Sequence, residues 1–211
     1  MRLKLKLTWK VQPQQICDYS NPPFAKWFVG GETNLCHNAV DRHVATRGDQ
    51  AALIFVSTET GSERTINYRQ LLREVETTAA MLQSLGVRQG DRVLLYMPMI
   101  PEAIITMLAT VRLGAIHSVV FGGFASASLA SRIDDARPKV IVTADAGSRG
   151  GKVVAYKPLL DEAIRLSKHK PQSVLLVDRG LSPMELTAGR DQLWGPLRQQ
   201  HLNTQVPCAW V

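Results

Sequence analysis

From residue 51 onward, apolar positions fall into alternating short and long runs. Residues 51–57 form a short β-rich run that can pair with 64–67 across the polar turn Glu59-Thr60-Gly61-Ser62, which predicts a hairpin. Leu71, Leu72, Val75, Ala79, Leu82 and Leu85 then recur at helical spacing, and Gly86 stands where a left-handed cap ends such a helix. Residues 92–97 read as a buried strand entered through Gly90-Asp91 and stopped by Pro98. The segment 101–113 is apolar nearly all round, a helix packed inside and closed by Gly114. Residues 116–121 predict another strand, Ser126 an N-cap for a helix reaching Ala136, and Pro138 the entry to a strand at 139–143. Pro158 suits the first turn of a helix over 157–168, with Asp161 and Glu162 near its positive end and Lys168-His169-Lys170 at its negative end. A strand at 173–178 follows, and beyond Gly180 the pattern fades into a mixed, partly helical segment over 191–201.

Strands alternating with helices imply right-handed βαβ crossovers, so the predicted class is α/β: a largely parallel sheet with helices on both faces. Four stretches divide the chain: a basic leader at 1–17, a docking segment at 18–50, the α/β subdomain at 51–180 and a closing segment at 181–211. The leader alternates Leu3-Lys4-Leu5-Lys6-Leu7, ends in a polar stretch and is expected to be poorly ordered. It lacks the uninterrupted apolar core of an export signal. In the second stretch Ser20-Asn21-Pro22-Pro23 breaks the chain, and Phe24, Trp27 and Phe28 precede Gly30-Gly31 and a short helix over 34–47.

Composition narrows the function classes. The 211 residues are 45% hydrophobic and 20% charged, enough apolar material for a core. No apolar run approaches membrane-spanning length and no fixed-period repeat occurs, so neither a membrane partner nor a solenoid is expected. The net charge of +7 invites a nucleic-acid reading, but Arg2, Lys4, Lys6 and Lys10 of the leader supply +4 of it, leaving a nearly balanced body. No nucleic-acid partner is expected. Cys17, Cys36 and Cys208 are odd in number, widely spaced and without a C-x-x-C pair, which argues against a disulfide framework or zinc site and fits a reducing cytoplasm.

In open parallel sheets ligands gather beyond the carboxyl ends of the strands, where loops converge and helix amides point outward. Two glycine-rich loops have that placement. The first is Phe121-Gly122-Gly123-Phe124, where the second glycine can admit a ring or phosphate close to the backbone, or both glycines simply shape the turn. The second is Ala146-Gly147-Ser148-Arg149-Gly150-Gly151-Lys152. Its glycyl amides can turn inward as an anion nest while Arg149 and Lys152 offer a guanidinium fork and an ammonium for a phosphate, against the alternative of a solvated turn. It is not a P-loop: three residues rather than four precede the Gly-Lys pair, and Val153 stands where Ser or Thr is needed. His37 and His43 suit surface or capping roles, Asp135 a partnership with Arg132 or Arg137, and the scattered tryptophans packing. No catalytic or metal-ligating constellation stands out.

Taken together, Asp18-Tyr19-Ser20-Asn21-Pro22-Pro23, Thr33-Asn34-Leu35-Cys36-His37-Asn38, Gly90-Asp91-Arg92-Val93, Tyr96-Met97-Pro98-Met99, Gly114 to Phe124 and Arg132-Ile133-Asp134-Asp135-Ala136 resemble the amino-terminal portion of AMP-forming short-chain acyl-CoA synthetases. The likeness is greatest to the propionate-activating branch, with the acetate-activating branch near it. It covers nearly all of this chain but about the first third of such an enzyme. The resemblance implies the N-terminal subdomain of the adenylate-forming fold and a two-step ligation. ATP and a short-chain carboxylate give an acyl-adenylate, and the thiol of coenzyme A then displaces AMP. It further implies that Arg149, Gly150, Gly151 and Lys152 hold coenzyme A near its nucleotide phosphates, with Gly122 and Gly123 along the nucleotide. The family's ATP-phosphate loop, expected just past Pro207 to Trp210, its magnesium and its C-terminal catalytic lysine have no counterpart here, so the chain alone is expected to be inactive. Nor does the basic leader resemble the family's usual start. A dinucleotide-binding oxidoreductase domain is the first rival, weakened by the lack of a G-x-G-x-x-G turn; a basic nucleic-acid-binding module is the second.

Overall fold

The computed structural model describes residues 7–211. The leader's alternation over 3–6 lies outside the described residues, but residues 9–11 and 15–17 of the leader lie in strands, contrary to expectation. Strand β1 (Trp9–Val11) and strand β2 (Gln15–Asn21) are followed by β3 (Phe24–Val29) and β4 (Glu32–Thr33). β2 and β3 form one antiparallel hairpin, and β1 pairs antiparallel with β4. Side chains explain the order: the Trp9 and Phe28 rings lie 5.3 Å apart, and the Thr33 hydroxyl donates to the Thr8 carbonyl at 2.7 Å. The helix expected over 34–47 opens as a π-helical turn, His37–Asp41, and continues as α1 (Arg42–Arg47).

Strands β5 (Ala51–Ser57) and β6 (Ser62–Asn67) form the expected hairpin. It leads into α2 (Tyr68–Ser84), whose start is fixed by reciprocal bonds between Asn67 and Gln70. The remaining elements alternate: β7 (Arg92–Met97), α3 (Pro101–Arg112), β8 (Ile116–Phe121), α4 (Ser126–Ala136), β9 (Val140–Ala144), a hairpin of β10 (Ala146–Arg149) and β11 (Lys152–Ala155), α5 (Tyr156–Leu166), β12 (Ser173–Val177), β13 (Asp191–Leu193) and α6 (Trp194–Gln200). The central sheet has the order β13-β12-β9-β7-β8, and every pairing in it is parallel.

Helices cover both faces, as expected. Val93, Leu95, Val140, Val142 and Leu175 point into one layer with Val75, Ala79 and Leu82 of α2, Ile105 and Ala109 of α3, and Leu197 of α6. Leu94, Tyr96, Ile141 and Leu176 point into the other, against Leu129 and Ile133 of α4 and Leu160 and Ala163 of α5. Burial on both faces is why these strands read as continuous apolar runs rather than alternating ones. Each such aliphatic side chain contributes about 1.5–3 kcal/mol.

Four local readings need correction. Ser126 does not cap α4; its hydroxyl donates to the Leu159 carbonyl at 2.9 Å, tying α4 to α5. Asp161 and Glu162 sit mid-helix rather than near the positive end, because α5 starts at Tyr156; Glu162 pairs with Arg165, and Asp161 joins a charge cluster. The Lys157 ammonium, 2% exposed, bonds Asp161 and lies 3.1 Å from Asp191, while Arg190 reaches both carboxylates. Asp134, not Asp135, is the engaged carboxylate of α4, accepting the backbone N–H groups of Lys168 and His169 at 2.7 and 2.8 Å. His37 stacks against Trp210, with ring centroids 5.0 Å apart. Lys170, as expected, closes α5 electrostatically by donating to the carbonyls of Ile164, Arg165 and Ser167.

Candidate functional site

A cleft of about 540 Å³ opens at the carboxyl ends of β7 and β8. Met97, Pro98, Val120, Phe121, Gly122 and Gly123 line one side; Ser148, Val154 and Tyr156 come from the β10–β11 hairpin and the start of α5, and residues 55–59 of the β5–β6 hairpin lie above. Of the two glycine-rich loops singled out in the sequence, the first borders this cleft through Gly122 and Gly123 and the second through Ser148, in the position the parallel sheet dictates; Arg149, Gly150, Gly151 and Lys152 are not among the lining residues.

The second of them is not a loop but a hairpin, which sequence reasoning missed. Gly150 and Gly151 form its two-residue turn with φ of +57° and +75°, the pair of positive values that a tight hairpin of this kind demands. The turn geometry thus accounts for the choice of glycine at both positions. Arg149 and Lys152 are register partners immediately flanking the turn. Lys152 is exposed and has no hydrogen-bond or ion-pair partner among the described residues. A Gly-Gly pair is itself a hairpin signal, and here Val153 and Val154 stood beside it; the short, glycine- and serine-containing first arm concealed it.

Tyr156 organises the inner wall. Its ring lies 4.9 Å from that of Tyr96, and its hydroxyl is pressed against the backbone at Gly122 and at Gly147. A Cβ on either glycine would stand 2.3 Å from the Tyr156 oxygen, so both positions need a missing side chain. Burial and the neighbouring Tyr156 push the Tyr96 phenol up to about 12, and burial also raises Tyr156. Both phenols are therefore neutral at ordinary pH. The Tyr96 hydroxyl donates to the Phe124 carbonyl at 3.0 Å, fixing the first glycine loop.

Two carboxylates absent from the sequence-level candidates hold the rim. Glu59, at the β5–β6 turn, accepts the Ser148 N–H at 2.8 Å and is paired with Arg179, whose other arm donates to the Ala146 carbonyl at 2.8 Å. Burial alone would raise the Glu59 pKa, but Arg179 and the Ser148 N–H outweigh it and hold the carboxyl below its ordinary value. Asp145, fully buried, accepts the N–H groups of Ala146 at 2.7 Å, Leu181 at 2.6 Å and Ser182 at 3.2 Å. The first carboxylate was legible only as a turn residue, and its partner lies 120 positions away.

Among the described residues one trio of metal-capable donors comes together, Cys36, Asp41 and Cys208, none of which lines the cleft. The Arg112 guanidinium already bonds Asp41 there at 2.9 Å. No helix among the described residues is long and apolar enough to cross a membrane.

Comparison with known proteins agrees with this arrangement. The AMP-binding enzyme family matches residues 40–207, and the family described as acetyl-coenzyme A synthetase N-terminus matches residues 2–39. The second match overturns the reading of the leader as foreign to such enzymes. The chain is 58% identical over 206 residues to propionate–CoA ligase of Escherichia coli (strain K12), covering 98% of this chain and 33% of that protein. It is 46% identical over 206 residues to acetyl-coenzyme A synthetase of Streptomyces avermitilis, covering 97% and 31%. The structure of acetoacetyl-CoA synthetase from Streptomyces lividans superimposes with a TM-score of 0.83 at 28% identity, over 97% of this chain and 30% of that one. The chain thus spans about a third of the length of the relatives it matches. With the parallel sheet, the cleft at its carboxyl ends and the matched families in agreement, this chain belongs to the AMP-binding enzymes and carries the N-terminal region of the acyl-CoA synthetases among them.

Proposed function

We propose that these residues are the amino-terminal part of an acid–CoA ligase that joins a short-chain carboxylate, propionate in preference to acetate, to coenzyme A through an acyl-adenylate. The higher identity to the propionate enzyme supports that preference. The observation that carries the reading is the β10–β11 turn: Arg149 and Lys152 flank it in register, at the tip of the hairpin whose Ser148 and Val154 line the cleft that Gly122 and Gly123 border. An exposed lysine with no partner among the described residues suits an anionic ligand, because a phosphate replaces solvent rather than breaking an existing pair.

The fit to coenzyme A is partial. Lys152 and Arg149 supply charge for the nucleotide phosphates, and the apolar cleft walls suit a ring or an alkyl arm. The Ser148 N–H is taken by Glu59, so it is not among the donors on offer. Magnesium does not fit the Cys36–Asp41–Cys208 trio, where a guanidinium already sits against the carboxylate. We assign ATP and its metal to the part of the relatives' length that this chain does not span, so no adenylate is expected from these residues alone. Incubation with ATP, propionate and coenzyme A tests this: no release of AMP or pyrophosphate is expected, and sustained turnover would overturn it. Titration with coenzyme A in parallel with a nicotinamide dinucleotide separates the reading from an oxidoreductase domain, since heat of binding is expected for the first ligand alone.

A further inference from the structure

Cys36 and Cys208 are distant in sequence, yet their sulfur atoms and a carboxylate oxygen of Asp41 all lie within 4.8 Å of one another. Cys36 is completely buried, whereas Cys208 is part-exposed. The segments that carry them are pinned on both sides. The Asn34 side-chain amide donates to the Ala209 carbonyl at 2.6 Å and to the Val111 carbonyl at 2.8 Å. Thr33 and Val211 exchange backbone bonds of 2.8 and 3.0 Å, and the Ala209 N–H reaches the Arg112 carbonyl at 2.7 Å. The sulfurs are held together by a backbone frame that does not depend on them.

Arg112 fills the space beside the pair. It is 3% exposed, donates to Asp41 and to Glu76, and places one N–H 3.5 Å from the Cys36 sulfur. A metal cation would have to share this pocket with a guanidinium, which disfavours metal binding; the Cys36 and Cys208 sulfurs instead lie 3.8 and 3.9 Å from the two Asp41 carboxylate oxygens, as thiol donors. The neighbouring Cys36 thiol and the Arg112 charge lower the Cys208 thiol below its ordinary value against burial and Asp41, while the Cys208 neighbour and burial raise Cys36.

We propose that Cys36 and Cys208 are a redox pair that closes to a disulfide when hydrogen peroxide reaches the part-exposed Cys208. The Cys208 thiolate attacks one peroxide oxygen, the O–O bond breaks, and the released hydroxide takes a proton to leave as water. Cys208 is then a sulfenic acid. The Cys36 sulfur attacks the Cys208 sulfur, the S–O bond breaks, and the departing hydroxide takes the Cys36 proton to give a second water. Two thiols have lost two electrons to one peroxide. The exposed member reacts first and the buried member resolves, a division of labour that access to solvent imposes. Closing from the present separation to a sulfur–sulfur bond of about 2.05 Å needs a shift of under about 3 Å. Cys208 lies outside helix and strand, and the shift falls on its side chain between the pinned Val206 and Ala209. The link would tie the docking segment to the closing segment across the end of α3. Thiol–disulfide exchange with a dithiol would reverse it.

The test is peptide mapping of the full chain under non-reducing conditions after graded hydrogen peroxide, carried to the dose that consumes Cys17, the remaining cysteine. Most of Cys208 is expected in a peptide linked to Cys36 and lighter by two hydrogens, with dithiothreitol restoring both thiols. In a Cys36→Ser variant Cys208 should stop at a sulfenic acid that dimedone traps. In Cys208→Ser the buried Cys36 should stay reduced. Conversion of Cys208 to sulfinic acid in the wild type without the link, a dominant link through Cys17, or a Cys208 still reduced when Cys17 is spent would each overturn the proposal.

Discussion

Replacing Gly122 with Ala isolates the reason that glycine is there. The backbone at Gly122 is not in the left-handed region, so it accepts a side chain without torsional strain. Space is the obstacle: the new methyl carbon would stand 2.3 Å from the Tyr156 oxygen, 2.7 Å from Cζ and 3.0 Å from Cε2. Ordinary contact requires the ring edge to retreat by roughly 1 Å, since carbon pairs rest near 3.5–4.0 Å. Retreat is obstructed, because Gly147 meets the same hydroxyl and Tyr96 stacks on the ring. Overpacking of this kind costs about 1–3 kcal/mol. At roughly 2–4 °C per kcal/mol for a chain of this size, the melting midpoint should fall by about 4–8 °C for a cost of about 2 kcal/mol. Urea unfolding of Gly122→Ala, Tyr156→Leu and the double variant reads the coupling directly. With Leu at 156 the obstructing atoms are gone, and Gly122→Ala should become nearly neutral. An alanine tolerated in the wild type, or equally costly in both backgrounds, would refute this account of the glycine.

Other positions carry similar expectations. Arg112→Met leaves Asp41 and Glu76 without their buried partner and should cost about 3–5 kcal/mol, measured by denaturant unfolding. Glu59→Gln weakens the charge-assisted bonds to Arg179 and Ser148, and should cost about 1.5–3 kcal/mol and raise amide exchange along β10. Asp191 is buried, a cost that would raise its pKa, but Arg190, the Thr187 N–H and Lys157 hold it below 3.8. A depressed folded-state value means that its stabilisation is complete above the unfolded value and is lost as pH falls through the folded one. Unfolding free energy should therefore decline below about pH 4, and Asp191→Asn should flatten that decline in a pH series of urea titrations.

Much of the sheet was legible because burial on both faces leaves a local trace. Residues 92–97, 116–121 and 126–136 coincide with β7, β8 and α4, each an apolar or amphipathic run bounded by glycine, proline or a turn. The β10–β11 hairpin was missed because each arm has four residues and the first mixes glycine, serine and arginine, too little for periodicity to register. The ordering of the leader rests on contacts such as Trp9 with Phe28, which no window of sequence contains. The same holds at the candidate site. Gly122, Gly123 and the Arg149–Lys152 turn were visible as composition, whereas Tyr156, Glu59 and Arg179 act through partners far along the chain. The capping role expected of Ser126 failed for a related reason: its hydroxyl found Leu159 on a neighbouring helix.

The cation-flanked turn is the part of the account on which the functional reading stands. Isothermal titration of coenzyme A into the wild-type chain and into an Arg149→Ala, Lys152→Ala double variant, with matched unfolding curves to confirm an intact fold, tests it directly. Weak binding by the wild type and at least a ~10-fold loss in the double variant, about 1.4 kcal/mol, are predicted. Equal affinity of the two proteins for coenzyme A would contradict it.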